Sequence, residues 1–362
     1  MSKSELTKDT LISYFASGCK KKKEWRIGTE HEKFGFRKKT LEPIKYSDIK
    51  KILTKLSHKF GWTKILEDKK IIGLKRDNAS ISLEPGGQIE LSGAPLTNLF
   101  ETCMEVNNHQ DELNSVCEEL DIDFMGMGVL PKWSRGKMSL MPKKRYKIMS
   151  EYMPRVGSAG LDMMLRTCTI QANFDFSSEQ DMKKKIIVSQ SIQPLVIALY
   201  ANSPFINGKL SKFLSHRSYI WTKTDTDRCG ILPIFSDQNF SFERYVDYLL
   251  DVPMYFVIRN NEYVNLTGYT FRDFMKGKIK NEIFYSELGK LLPTPNTQEI
   301  NYTGFGFIKG MYFDLENDKP INIPNTDKIK YIEEYLRQFG PIDYSEVEEI
   351  NRIIEEIGRA HV

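Results

Sequence analysis

The sequence predicts an α+β fold in which several strands share one sheet with an apolar and a polar face. Strand-like segments divide cleanly by parity: Ile81 and Leu83 oppose Ser82 and Glu84, and Ile89 and Leu91 oppose Gln88, Glu90 and Ser92. That is the pattern of a pleated strand whose alternate side chains point to opposite faces. Other segments follow helical spacing instead, as Ile49, Ile52, Leu53, Leu56 and Phe60 do.

The elements follow in chain order. Residues 7–20 predict a short helix with Leu11, Ile12 and Phe15 on one side, ending near Gly18. Residues 25–36 read as a strand and 47–60 as a helix with Ser47 as its N-cap. Residues 71–92 hold two strand-like stretches separated by Pro85-Gly86-Gly87, followed by a helix over 96–120 and a strand over 124–130. The segment 131–160 is loop-rich and basic. Residues 165–176 return to a strand pattern whose even face (Ile170, Ala172, Phe174 and Phe176, with Arg166 and Cys168) is expected to be buried. The odd face, Thr167, Thr169, Gln171, Asn173 and Asp175, is expected to carry chemistry. Ser177-Ser178 with Glu179, Gln180 and Asp181 opens a helix that runs to about Ala201, kinked at Pro194. Residues 252–258 and 262–266 predict a hairpin around Asn260-Asn261, and 271–276 begin another helix.

With 362 residues and 40% hydrophobic content, the chain can bury a sizeable core. Its net charge of +4 is too small for a nucleic-acid footprint. The Lys20–Lys23 run comes without a stacking or groove-reading motif, so no nucleic-acid partner is expected. No run of about 18 apolar residues occurs, so no membrane-spanning segment is expected. Cys19, Cys103, Cys117, Cys168 and Cys229 lack CxxC pairs and zinc spacing, and the first residues lack an apolar leader. The expectation is a reduced, cytoplasmic protein.

In Ile27-Gly28-Thr29-Glu30-His31-Glu32 the two glutamates lie side by side on one strand face. If these strands join one sheet, its polar face collects Glu30, Glu32, Glu84 and Glu90 with Gln171. Such an all-oxygen set suits magnesium, and with it phosphate chemistry. A solvated sheet face is the plainer alternative. His31 has the opposite parity and is expected to be half-buried rather than a ligand. Lys143, Lys144 and Arg145 form a loop cluster of cations suited to a nucleotide triphosphate.

The run Arg26-Ile-Gly-Thr-Glu-His-Glu-Lys-Phe-Gly-Phe36 resembles the glutamate-cysteine ligases of plants and proteobacteria, as does Ser82-Leu-Glu-Pro-Gly-Gly-Gln-Ile-Glu-Leu-Ser-Gly-Ala-Pro-Leu96. Met141-Pro-Lys, Arg145-Tyr, Gly160-Leu-Asp-Met-Met-Leu-Arg-Thr-Cys-Thr169, Asn202-Ser-Pro-Phe205 and Asp251-Val-Pro-Met-Tyr-Phe256 extend the likeness across residues 6–278. The resemblance implies a large antiparallel sheet with helices behind it, similar to glutamine synthetase, whose open face holds ATP and magnesium. It also implies the reaction that opens glutathione biosynthesis, joining the γ-carboxylate of glutamate to the amine of cysteine through an acyl phosphate. Carried onto this chain, Glu30, Glu32, Glu84 and Glu90, with Gln171 as a weaker candidate, would hold the metal. Lys143 and Arg145 would meet the ATP phosphates. Arg217 and Trp221 would line the glutamate pocket, with Arg217, and Arg166 as the lesser candidate, gripping the α-carboxylate and serving the catalytic step. The partners implied are glutamate, cysteine and ATP, with a homodimer as a possibility.

After about Lys278 the resemblance stops, and residues 279–362 read as a divergent tail expected to be chimeric or truncated. Amphipathic helices are expected there over 327–339 and 345–357, the second with Val347, Ile350, Ile354 and Ile357 along one stripe. The family's Tyr-Leu-Glu-Met-Arg-Gly-Ala-Asp motif is missing from it. An inactive chain that binds ATP or glutamate therefore stays open beside an active ligase, as does a carboxylate-amine ligase with another acceptor. Cys103 matches a regulatory cysteine of plant members, whereas Leu266 occupies another such position.

Overall fold

A computed structural model describes residues 7–278, apart from Ile231, Asn260 and Asn261, together with two short strands, Phe313–Asp314 and Lys319–Pro320. The chain divides into two units, Met1–Met311 and Tyr312–Val362. The two short strands pair antiparallel in the second unit, and the helices expected over 327–339 and 345–357 lie outside the described residues.

The centre of the first unit is a seven-stranded antiparallel sheet. β1 (Ile27–Arg37) is followed by β2 (Thr63–Glu67), β3 (Lys70–Arg76), β4 (Ala79–Leu83), β5 (Ile89–Ser92), β6 (Ile122–Met125) and β7 (Ile170–Phe174). β1 is the organising strand, because its first half lies between β5 and β7 while its second half pairs with β6. The register sets Glu32 opposite Glu90, Glu90 opposite Ser82, and Glu30 opposite Gln171. Directly paired residues share a face, so these polar groups line one side of the sheet. Ile81, Leu83, Ile89 and Leu91 occupy the other side, fully buried.

Helices cover that apolar side. α1 (Lys8–Ser17), which packs against residues 242–251 rather than the sheet, starts in a reciprocal capping box between Thr7 and Thr10. α2 (Tyr46–Phe60) drives Ile49, Ile52, Leu53 and Leu56 into the core, and α3 (Leu99–Cys117) adds Leu113, Val116 and Cys117. Burying each such side chain contributes about 1.5–3 kcal/mol. The cap expected at Ser47 is instead Lys45, whose N–H donates to the Asp48 carboxylate at 3.2 Å. Arg37 from β1 donates to the same carboxylate at 2.6 Å, which ties the helix start to the sheet.

The chain continues through α4 (Lys144–Val156), α5 (Gly160–Arg166), α6 (Glu179–Leu199), β8 (Phe205–Ile206), β9 (Lys209–Leu210), α7 (His216–Thr222), α8 (Phe242–Asp251), β10 (Phe256–Arg259), β11 (Glu262–Asn265) and α9 (Phe271–Met275). Ser178 caps α6 by accepting the Asp181 N–H at 3.1 Å, and Pro194 lies within that helix, both as the sequence predicts. β10 and β11 pair as the expected hairpin. Among the described residues no helix is long and apolar enough to cross a membrane.

Three further expectations differ from the structure, and one strand went unanticipated. Residues 71–92 hold three strands, not two, because Asp77 adopts a positive φ and turns β3 into β4. β2 was not foreseen, since its first four residues are exposed and carry no alternation. The segment 131–160 contains α4, whose buried Tyr146, Tyr152 and Met153 are hidden in the sequence by basic residues and Pro154. Finally, 165–176 is not one strand: α5 ends at Arg166, and Ile170 and Phe174 are 71% and 67% exposed rather than buried. β7 flanks β1, while the packed helices reach β1, β2, β3 and β6.

Candidate active site

The polar face of the sheet is assembled from separate stretches of chain. β1 supplies Glu30 and Glu32, β5 supplies Glu90, and Glu84 directly follows β4. Glu84 is fixed by a tight turn: its N–H donates to the Gln88 carbonyl at 2.9 Å, and its carbonyl accepts the Gly87 N–H at 2.9 Å. Gly87 has φ +90°, a conformation that strains residues with a Cβ. Gly86 presses against α5, where a Cβ would lie 2.2 Å from the Leu165 carbonyl oxygen. The buried Gln88 amide completes the lock, accepting from the Gly86 N–H at 2.8 Å and donating to the Thr167 carbonyl at 2.7 Å.

Gathering these carboxylates has an electrostatic cost. Burial, with Glu84 and Glu90 alongside, pushes Glu32 well above the usual carboxylate range. Burial and then Glu84 push Glu90 up to about 8, against the pull of Ser92 and Lys143. Glu30 is raised by burial and Glu84, and held back by Asn173 and Gln171. Each carboxylate turns to a local donor: Glu84 to Ser82 and Glu90 to Ser92, both at 2.7 Å, Glu30 to Asn173 and Glu32 to the Thr169 N–H, both at 3.0 Å. Among the described residues no three His, Cys, Asp or Glu side chains are grouped so as to hold a metal ion. Buried like charges raised in this way are relieved by a cation, and all-oxygen donors are the type that hard divalent cations take.

Beside this face opens a cavity of about 480 Å³, lined by Glu30, Glu32, Glu84, Gln171, Arg145 and Arg217 among others. α7 presents Arg217 and Trp221 one turn apart, the guanidinium 5.4 Å from the indole centroid. The Arg217 N–H is anchored on Ser203 Oγ at 3.1 Å. Arg217 Nε and Trp221 Nε1 are sealed from solvent and have no acceptor among the described residues, and both residues line the cavity. The Arg217 guanidinium feels the Glu32 charge across the site.

The remaining expected residues divide. Gln171 is at the cavity, donating to Asn173 at 3.1 Å. Arg145 lines it from the start of α4. Lys143 is buried next to Glu84 and Glu90, and burial lowers its ammonium to about 8. Lys144 departs from the expected cluster, bonding Glu262 at 3.0 Å and Asp68 at 3.3 Å. Arg166 is also placed elsewhere: it does not line the cavity, and its guanidinium is held by Asp162 at 3.0 Å and Asn207 at 2.8 Å. His31 lies on the opposite face of β1, lowered to about 4 by burial.

Sequence reasoning missed a second wall. Asp225, Arg228, Tyr255 and Phe256 line the same cavity. Tyr255 and Phe256 belong to the Asp251–Phe256 run, but nothing in the spacing of Asp225 and Arg228 marked them. Among the five cysteines all are free thiols, with Cys103 exposed on α3.

The profile of glutamate-cysteine ligase family 2 matches residues 26–279. A chloroplastic glutamate-cysteine ligase of Brassica juncea is 59% identical over 274 residues, 76% of this chain and 53% of that protein. Chloroplastic glutamate-cysteine ligase A of Oryza sativa subsp. indica is 58% identical and the chloroplastic enzyme of Arabidopsis thaliana 57%, each over 76% of this chain and 56% and 52% of theirs. The chain thus spans about half the length of the curated relatives it matches. The expectation of a cytoplasmic protein is overturned by these names, which place the relatives in the chloroplast. The match takes in both walls of the cavity and the whole carboxylate face, and on it the chain belongs to glutamate-cysteine ligase family 2.

Proposed function

We propose that this chain carries the catalytic face of an ATP-dependent glutamate-cysteine ligase, with residues 1–278 as the catalytic part and 279–362 as a divergent tail. The observation that supports it most directly is the meeting of four glutamates on one polar sheet face with the sealed donors of Arg217 and Trp221, which have no acceptor among the described residues. The divalent cation that accompanies a triphosphate suits the first group, and an amino-acid carboxylate the second.

In this reading the γ-carboxylate oxygen of glutamate attacks the γ-phosphorus of ATP, the bond to the β,γ-bridging oxygen breaks, and ADP leaves. The cysteine amine then attacks the acyl carbon, phosphate departs with the C–O bond electrons, and the amine loses a proton to solvent. Glu30, Glu32, Glu84 and Glu90, with Gln171, would hold magnesium, which neutralises phosphate oxygens during such transfers. Arg217 pairs with the glutamate α-carboxylate through its fork of donors, and Trp221 fixes the plane of that fork. Arg145 and Lys143 bring positive charge to the phosphate side. The site acts chiefly by positioning, so misplacing one of these groups weakens catalysis more than its single hydrogen bond suggests. The names of the relatives support a plastid location.

The test is ADP release by the purified 362-residue protein with magnesium and ATP, first with glutamate alone and then with cysteine. The expected result is glutamate-dependent turnover that cysteine accelerates, with γ-glutamylcysteine as product. ATP binding without turnover would instead identify an inactive binder, and faster turnover with another amine would identify a different acceptor.

A further inference from the structure

The second wall of the cavity is built from two chain segments that meet at one side chain. Residues 224–229 follow α7, and residues 253–256 lead into β10. Arg228 bridges them: Nη1 donates to Asp225 Oδ2 at 2.6 Å, and Nη2 donates to the Pro253 carbonyl. Its guanidinium also lies 4.2 Å from the centroid of Tyr255 and 5.8 Å from that of Tyr152. Those two rings meet edge to face at 5.1 Å, so the end of α4 joins the same cluster.

Asp225 is well suited to anchor the bridge. It is 2% exposed, and its other carboxylate oxygen accepts the Asp227 N–H at 3.0 Å while its carbonyl accepts the Cys229 N–H at 2.8 Å. The segment in turn rests on α4 at closest approach, since a Cβ on Gly157 would lie 1.9 Å from the Thr224 carbonyl oxygen. Removing Arg228 would leave a buried carboxylate unpaired and release the Pro253 carbonyl, a loss of two charge-assisted contacts.

We propose that Arg228 is a positioning residue that clamps the Tyr255–Phe256 wall of the cavity to Asp225, and thereby sets the shape of the cavity along that wall. It acts through Tyr255, over whose ring its guanidinium lies. The ligands used to probe it rest on the ligase reading above, but the clamp itself does not.

Two measurements on the full chain separate the two. Hydrogen exchange is followed at the amides of 254–258, within the 253–258 segment, and, as a reference, in α2, for the unaltered protein, Arg228→Gln and Arg228→Lys. Calorimetry gives dissociation constants for glutamate, cysteine and magnesium-ATP. The expected result is faster exchange in 253–258 with α2 unchanged, and roughly tenfold weaker binding of one amino acid with ATP affinity kept. Arg228→Lys, which reaches only one of the two acceptors, should fall between the others. Unchanged exchange at 253–258, or equal acceleration in α2, would overturn the clamp. Absence of binding by the unaltered protein would sink the ligase reading alone, with the exchange comparison still deciding on Arg228.

Discussion

His109 makes the fold acid-sensitive in a way that can be worked out in advance. The ring is 2% exposed in α3, and neither of its nitrogens has a partner among the described residues. Burial lowers it to about 3, and Lys33 and His31 from β1 and Arg76 from β3 push in the same direction. Because the folded value lies below the ordinary one, the stability it supports is complete at neutral pH and is lost as pH falls from about 6.5 toward 3. At about pH 4.5 the unfolded chain holds a proton that the folded one refuses across about two pH units, which corresponds to about 2–3 kcal/mol. Urea unfolding of the unaltered protein and of His109→Leu, each at neutral pH and near pH 4.5, isolates this contribution, since His31 titrates in both. The leucine variant should gain about 2–3 kcal/mol relative to the unaltered protein on acidification. An identical difference between the two proteins at both pH values would refute the reasoning.

Arg217→Ala in the active enzyme should raise the KM for glutamate about tenfold or more with little change for ATP, because a substrate carboxylate loses its paired donors. Steady-state kinetics with each substrate varied would show it, and a rise confined to ATP would move Arg217 to the nucleotide. Glu90, held up to about 8, releases its proton later than in the unfolded chain, so its stabilising contribution is present below about 4.5 and lost as pH rises through about 8. Glu90→Gln should therefore raise the metal-free Tm near pH 8 and shrink the further rise on adding magnesium, both read by calorimetry. Gly86→Ala should destabilise by about 1–3 kcal/mol, because its Cβ meets backbone rather than a mobile side chain; unchanged urea midpoints would show that α5 can give way.

How much of this was legible depends on what each residue type can signal. The alternation in β4 and β5 and the helical stripe of α2 are local, so the sheet's two faces and its helix layer were readable. The same parity brought Glu30, Glu32 and Glu90 to one face, and the register bears that grouping out. Parity failed at 165–176 because a helix, a bend and an edge strand share one apolar-polar rhythm, and edge position depends on distant partners. Arg166 looked like a site residue because an arginine in a motif is ambiguous between substrate and scaffold until Asp162 and Asn207 are seen at its guanidinium. Arg228 was invisible for the converse reason: its partners Pro253 and Tyr255 lie in another segment of the chain, and Asp225 enters the wall only by pairing with it.

The double pairing of β1 also bears on the order in which the molecule takes shape. β2 to β5 are joined by short hairpins and turns, so their contacts are local and can form quickly. The other flank of β1 is different, since the Thr169 amide that meets the Glu32 carboxylate lies 137 residues further along the chain. Closing so long a loop comes late and slowly. During synthesis, then, the apolar core behind β4 and β5 can be in place while the carboxylate row still lacks its Gln171 neighbour, and the ability to bind should appear only after the chain has been made well beyond β7.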